Sequence, residues 1–129
     1  MLQRQVGQGS ALGIGKRRPA FLRAGDTVVL ETGSSSLGVT PTILPDGVRV
    51  EAQVLWGSIG WATPAAFGVA LADPRRRTIP ITGEGSHQLT ANDVGAMGRF
   101  GVNVIVFVLN NSGLPHRARA GRKPGLDLQ

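Results

Sequence analysis

Val104-Ile105-Val106-Phe107-Val108-Leu109 is a run of six apolar residues with no polar break. Such a run, rich in β-branched side chains, reads as a strand covered on both faces. Working outward, Thr27–Leu30 carries two consecutive valines, and Val48–Val54 and Arg77–Thr82 have strand length and composition. Between them, Ser58–Leu71 holds Ile59, Ala62, Ala65, Ala66, Phe67, Val69 and Ala70 in a helix-length run closed by Asp73-Pro74. Pro64 must sit in the first turn of that helix or kink it. Gln88–Phe100 places Leu89, Val94 and Met97 at helical spacing. A helical turn is expected from Pro19 to Gly25, and Gly33–Ser36 reads as a glycine-serine loop. Strand, loop, helix, strand in repetition predicts an α/β architecture: three layers, a mostly parallel sheet with helices on both faces, incomplete at the C-terminus.

The 129 residues suffice for one domain. The expected division is a basic irregular segment over 1–18, the folded domain over 19–113 and a disordered basic tail over 114–129. Apolar residues make up 41% and charged residues 17%, which excludes a disordered composition, and no apolar run nears the roughly 20 residues of a membrane helix. With no secretory signal in the first residues, a cytoplasmic location is expected. The absence of cysteine excludes thiolate metal sites and thiol nucleophiles. The formal charge of +6 sits at the ends: residues 1–25 contribute +5, residues 114–129 contribute +3, and residues 26–113 carry −2.

In a parallel sheet of this kind ligands bind beyond the carboxyl ends of the strands. The loops of interest are therefore Glu31–Ser36, Gln53–Ile59, Gly83–Gln88 and Asn110–Gly113. Gly83-Glu84-Gly85-Ser86 leaves a strand and enters a helix, so backbone N–H groups can face a phosphate. Asn111 opens the loop after the next strand, and adjacent parallel strands would bring it near Glu84. Mg²⁺ takes about six oxygens at roughly 2.0–2.1 Å, often with only one or two protein carboxylates. Glu84, Asn111, a backbone carbonyl and a diphosphate would satisfy it.

Gly83-Glu84-Gly85, a gap of 24 residues, then Asn110-Asn111 resembles the thiamine diphosphate signature Gly-Asp-Gly with a downstream Asn-Asn. Leu55-Trp56-Gly57-Ser58-Ile59-Gly60, Pro64-Ala65-Ala66-Phe67-Gly68 and Gly83-Glu84-Gly85-Ser86-His87-Gln88-Leu89-Thr90 are similar to the cofactor domain of 2-oxo acid decarboxylases acting on pyruvate, indolepyruvate or phenylpyruvate. The resemblance covers about residues 20–113. It implies a thiamine diphosphate-binding fold from a larger, usually tetrameric carbon-carbon lyase, with thiamine diphosphate and Mg²⁺ as cofactors and a 2-oxo acid as substrate. By the same resemblance, Glu84, Asn111 and the Gly113 carbonyl fall where the family coordinates Mg²⁺, and Gly85 and Ser86 where it holds the diphosphate. Gly57 falls where a carbonyl accepts from the aminopyrimidine, Ile59 where a side chain holds the cofactor bent, and Ser58 between them counts among the cofactor-binding residues. Ser34 and Ser35 lie in a cofactor-lining loop, with Ser34 replacing a familiar Asp.

The resemblance also has gaps. Glu84 is one methylene longer than the usual Asp. Relatives continue past Gly113 with Tyr-Thr-hydrophobic-Glu, whereas Leu114-Pro115-His116-Arg117 stands here, so no catalytic residue is assigned. The second family glutamate comes from a pyrimidine-binding domain, usually of a neighbouring subunit, and that domain is the expected partner. The isolated chain is expected to be inactive, and Arg-Ala-Arg-Ala-Gly-Arg in the tail has the composition of a frame-change product. Other features have plain readings: Trp56, Trp61 and Phe67 as core or packing residues, Met97 as helix-face core, His87 as a loop-end or substrate-side residue with no required chemistry, Arg75–Arg77 as a solvated turn leading into a strand. Gly13-Ile14-Gly15-Lys16 lacks the spacing and the Ser/Thr of a nucleotide phosphate loop. A non-catalytic remnant is one alternative. A nucleic-acid-binding module built on the basic tails would explain the charge, but the tails carry no aromatic residue for base stacking except Phe21, and it leaves Gly83–Gly113 unexplained.

Overall fold

The computed structural model describes residues 4–6, 21–39 and 42–110. In chain order its elements are β1 (Arg4–Val6), β2 (Thr27–Leu30), α1 (Ser34–Val39), β3 (Arg49–Ala52), α2 (Ala62–Ala72), β4 (Thr78–Gly83), α3 (Glu84–Leu89), α4 (Asn92–Phe100) and β5 (Phe107–Leu109). The strands form one sheet in the order β1-β5-β4-β2-β3, and every pairing is parallel. Because β2 and β4 are neighbours while β3 and β5 lie on opposite sides of them, the strand order reverses between β2 and β4. That is where an open parallel sheet leaves a crevice at its carboxyl edge.

Alternation along the strands sorts the core into two layers. Val28, Leu30, Ile79, Ile81 and Phe107 pack on one face with Val39 of α1. Val29, Val106 and Val108 pack on the other with Ala62, Ala66 and Ala70 of α2 and Met97 of α4. The three alanines recur every four residues, so α2 lays a stripe of small side chains against the sheet. Burying a Val or Ile side chain stabilises by about 1.5–3 kcal/mol, and Val28, Val29, Ile79 and Val106 are all fully buried.

The expected layering is therefore present, with local differences. Ser34–Ser36 begins a six-residue helix where a loop was expected, because Val39 anchors its end in the core and the Ser36 hydroxyl donates back to the Gly33 carbonyl at 2.8 Å. The helix read from Ser58 starts at Ala62, and Pro64 falls in its first turn. The helix read over Gln88–Phe100 is two: α3 (Glu84–Leu89) takes in 84–87, expected as loop, together with Gln88 and Leu89, and the chain turns at Thr90-Ala91 before α4. Gly101, in the left-handed region (φ +62°), ends α4, and the Val102 N–H reaches back to the Met97 carbonyl. Val104 makes only an isolated bridge to Thr78, so β5 is shorter than the apolar run. Within the segment expected to be irregular, Arg4–Val6 pairs with β5. Residues 111–129, including the basic tail, lie outside the described residues.

Arg75–Arg77 is a solvated turn only at Arg75. The Arg77 guanidinium forms a two-point ion pair with Asp26, Nη2–Oδ2 at 2.6 Å and Nε–Oδ1 at 2.9 Å, and lies 4.7 Å from the Phe21 ring centroid. Arg76 donates to the Asp26 and Gly47 carbonyls and the Thr27 hydroxyl. Together they tie the amino ends of β2 and β4. Removing one partner of a buried pair strands the other charge. Arg77→Ala should therefore cost about 3–5 kcal/mol in urea unfolding, whereas Arg75→Ala, at an exposed pair with Asp73, should stay within about 0.5 kcal/mol.

Candidate functional site

The carboxyl edge gathers three segments around the β2–β4 reversal. The first leaves β2 as Glu31-Thr32-Gly33 and enters α1. The second, residues 53–61, leaves β3 and enters α2. The third, Gly83-Glu84-Gly85-Ser86, ends β4 and starts α3. The register Gly83↔Leu109 sets the ends of β4 and β5 side by side, which brings Glu84 and Asn110 to adjacent strand ends. Asn111 and Gly113 lie outside the described residues. Among the described residues no group of three or more His, Cys, Asp or Glu side chains is placed to hold a metal.

At the centre lies Glu31, fully buried. Its Oε1 accepts from the Thr32 N–H at 3.1 Å and its Oε2 from the Ala62 N–H at 3.2 Å, and the Thr82 hydroxyl lies 3.3 Å from the same Oε2. Trp61 precedes α2 with helical backbone angles and no side-chain cap. Glu31 thus satisfies an N–H that the start of the helix leaves open.

The second segment is held by polar ties. The Thr32 hydroxyl donates to the Gln53 carbonyl at 3.4 Å, the Ser58 N–H to Gln53 Oε1 at 3.2 Å and the Thr90 hydroxyl to the Gly60 carbonyl at 3.0 Å. Gly60 is buried with φ +83°, and a Cβ there would lie 3.1 Å from Leu89 Cβ. Only glycine allows this segment to pass so close to α3.

The sequence-derived residues fall into two groups. Glu84, Gly85 and the buried Ser86 stand at the start of α3. Gly57, Ser58 and Ile59 are exposed on the second segment, and Gly57 borders a cavity of about 170 Å³ between the β2 and β3 ends, lined also by Glu31, Thr32 and Gln53. Ser35 turns inward, its hydroxyl donating to the Glu31 carbonyl at 3.0 Å. Ser34 is the first residue of α1. Trp56, expected to pack, is 81% exposed beside Val54 and Leu55, whereas Trp61 and Phe67 pack in the core. His87, expected at a loop end, is buried in α3 with Nδ1 3.3 Å from the Thr63 hydroxyl.

Sequence reading placed Glu31 and Gln53 in edge loops without giving either side chain a role, and it missed Thr82. Glu31 had one signal, an acid set directly after an apolar strand.

Compared with known proteins, residues 31–116 match the family model described as thiamine pyrophosphate enzyme, C-terminal TPP binding domain. The chain belongs to this family. It is 46% identical over 97 residues to a pyruvate decarboxylase of Kluyveromyces lactis, covering 72% of this chain and 17% of that protein. To an alpha-keto-acid decarboxylase of Mycobacterium avium it is 42% identical over 92 residues, covering 71% of this chain and 16% of that protein. A solved structure of a candidate thiamin diphosphate-dependent enzyme from Mycobacterium smegmatis aligns with a TM-score of 0.61 and 29% identity, covering 83% of this chain and 21% of that one. The chain thus spans about one sixth of the length of the decarboxylases it matches. Among the described residues, no helix is long and apolar enough to cross a membrane.

Two outcomes follow for this thiamine pyrophosphate-binding domain. Gly60→Ala should destabilise by about 1–2 kcal/mol from its left-handed backbone, with a further contact cost that Leu89→Ala relieves, as thermal melts of the single and double variants would show. Burial lowers the His87 pKa below its ordinary 6.5. The stability this neutral imidazole contributes is therefore complete above about pH 6.5 and lost as pH falls through the lower folded-state value. His87→Gln should flatten the decline in melting temperature between pH 7 and 5.

Proposed function

We propose that this chain is the part of a 2-oxo acid decarboxylase that anchors thiamine diphosphate through Mg²⁺. The carrying observation is the placement of Gly83-Glu84-Gly85 at the end of β4, beside the end of β5 and next to the β2–β4 reversal, within the residues matching the family model. The donor chemistry fits the group. Glu84 offers a carboxylate, and the loop that begins at Asn110 offers amide and carbonyl oxygens, the hard donors that Mg²⁺ prefers. An added Cβ at Gly83 or Gly85 would meet nothing within 4 Å, so the space beside both glycines is open.

In this reading Glu84, Asn111 and the Gly113 carbonyl hold Mg²⁺, and Gly85 and Ser86 hold the diphosphate. Gly57, Ser58 and Ile59 meet the pyrimidine side, with Ser34 and Ser35 near it. When bound, thiamine diphosphate supplies the electron sink for loss of CO₂ from a 2-oxo acid. The contribution of these residues is binding and orientation. Leu114-Pro115-His116-Arg117 stands where relatives carry a glutamate, and in this reading the acid-base groups come from a pyrimidine-binding domain. The exposed Val54, Leu55 and Trp56 suit contact with such a domain, and the isolated chain is to be without turnover.

A thermal melt of the full chain with Mg²⁺ and thiamine diphosphate, together and separately, tests the reading. At saturating ligand the melting temperature should rise by roughly 5 °C, only with both present, and Glu84→Ala should abolish the rise. No rise with both, or a salt-sensitive rise with duplex DNA alone, would refute it in favour of a remnant or a basic nucleic-acid binder.

A further inference from the structure

We propose that Glu31 is a positioning residue: its buried carboxylate holds the three carboxyl-edge segments in one arrangement, and ligand binding at this edge depends on it. The inference rests on the cofactor reading for its ligand and on geometry for its first half. Glu31 has no solvent exposure, and among the described residues no cation lies within ion-pair distance of it. A carboxylate in that state is expensive unless each oxygen is satisfied by donors, and here the donors come from three different places.

The Thr32 N–H belongs to the segment entering α1, the Ala62 N–H ends the segment carrying Gly57–Ile59, and the Thr82 hydroxyl immediately precedes Gly83-Glu84-Gly85. The Glu31 main chain joins the same set. Its N–H donates to the Ile81 carbonyl at 3.0 Å, and its carbonyl accepts from the Ser35 hydroxyl at 3.0 Å. Every stretch that carries a described candidate cofactor contact is thus at most a few residues from one of these bonds. An apolar side chain of similar size would fill the same volume but leave the start of α2 free to shift against the end of β4. Ala62 has a second consequence of position. Movement of its N–H moves the approach of Gly60 to α3, where the second and third segments touch.

The test uses Glu31→Gln in the full chain, which keeps the volume but removes the charge and turns one acceptor into a donor. Hydrogen exchange is measured on the ligand-free protein, and binding by calorimetric titration with Mg²⁺ and thiamine diphosphate, both well below the melting temperature. Peptides covering 53–62 and 82–88 should exchange about tenfold faster, in line with loss of bonds to a charged acceptor, while peptides covering 26–30 and 104–109 keep their protection. Affinity should fall about tenfold with the circular dichroism spectrum unchanged. A lower melting temperature with unaltered edge exchange and affinity would make Glu31 a purely structural residue and overturn the proposal. So would equal acceleration in all four peptides. If the parent chain binds no cofactor, the cofactor reading fails separately, and the exchange pattern alone decides whether Glu31 holds the edge. Should Glu31→Gln not fold, Thr82→Val removes a single donor and should accelerate 82–88 selectively; wild-type exchange there would count against the proposal.

Discussion

The parallel pairing of β2 with β4 is the constraint on which the rest of this domain depends. The chain leaves β2 toward β3 on one side and β4 toward β5 on the other, so no connection covers the carboxyl ends of the two central strands. Both strands are buried almost throughout, which requires a helical layer on each face, and the alternation of their side chains decides which helix goes where. The opposite end of the same pair is closed by charge: Arg77 on Asp26 and Arg76 on main-chain carbonyls. One end of the central pair is locked, and the other is left to loops.

That asymmetry leaves the carboxyl edge of the central pair as the place for a ligand. The edge segments are short, polar and glycine-rich, yet they are fixed by Glu31, Gln53 and Thr90. In the proposed function, rigidity of this kind holds the ligand's partners in place beforehand, so less ordering is needed on binding. The same edge carries Val54, Leu55 and Trp56 with most of their surface in solvent. This apolar cluster is, in the proposed function, the surface that the pyrimidine-binding domain covers.

The central fold was legible because its signal is hydrophobic and local. Val28-Val29 lies in a strand and the apolar run Val104–Leu109 ends in one at Phe107–Leu109, and Met97 sits in the core as its spacing requires. Helix α1 was not legible: Ser-Ser-Ser-Leu-Gly-Val has neither periodicity nor strong helix formers, and its helicity comes from packing at Val39. Nor was the break at Thr90-Ala91, since an apolar period across 88–100 does not reveal a turn. Of the site, Gly83-Glu84-Gly85 was legible by motif and its place beside β5 by strand adjacency. The roles of Glu31, His87 and Arg77 needed tertiary partners 31, 24 and 51 residues away, and no local pattern encodes them.

The two tryptophans of the chain, Trp56 and Trp61, bracket the part of the β3–α2 connection that carries Gly57–Gly60. One indole stands in water and the other packs against the α2 face of the sheet. With no tyrosine in the sequence, the near-ultraviolet emission of this protein is a built-in optical record of that one segment. A solvent-exposed emitter and a packed one, five residues apart, report opposite sides of the same stretch of chain, one its covering by another surface and the other its attachment to the core.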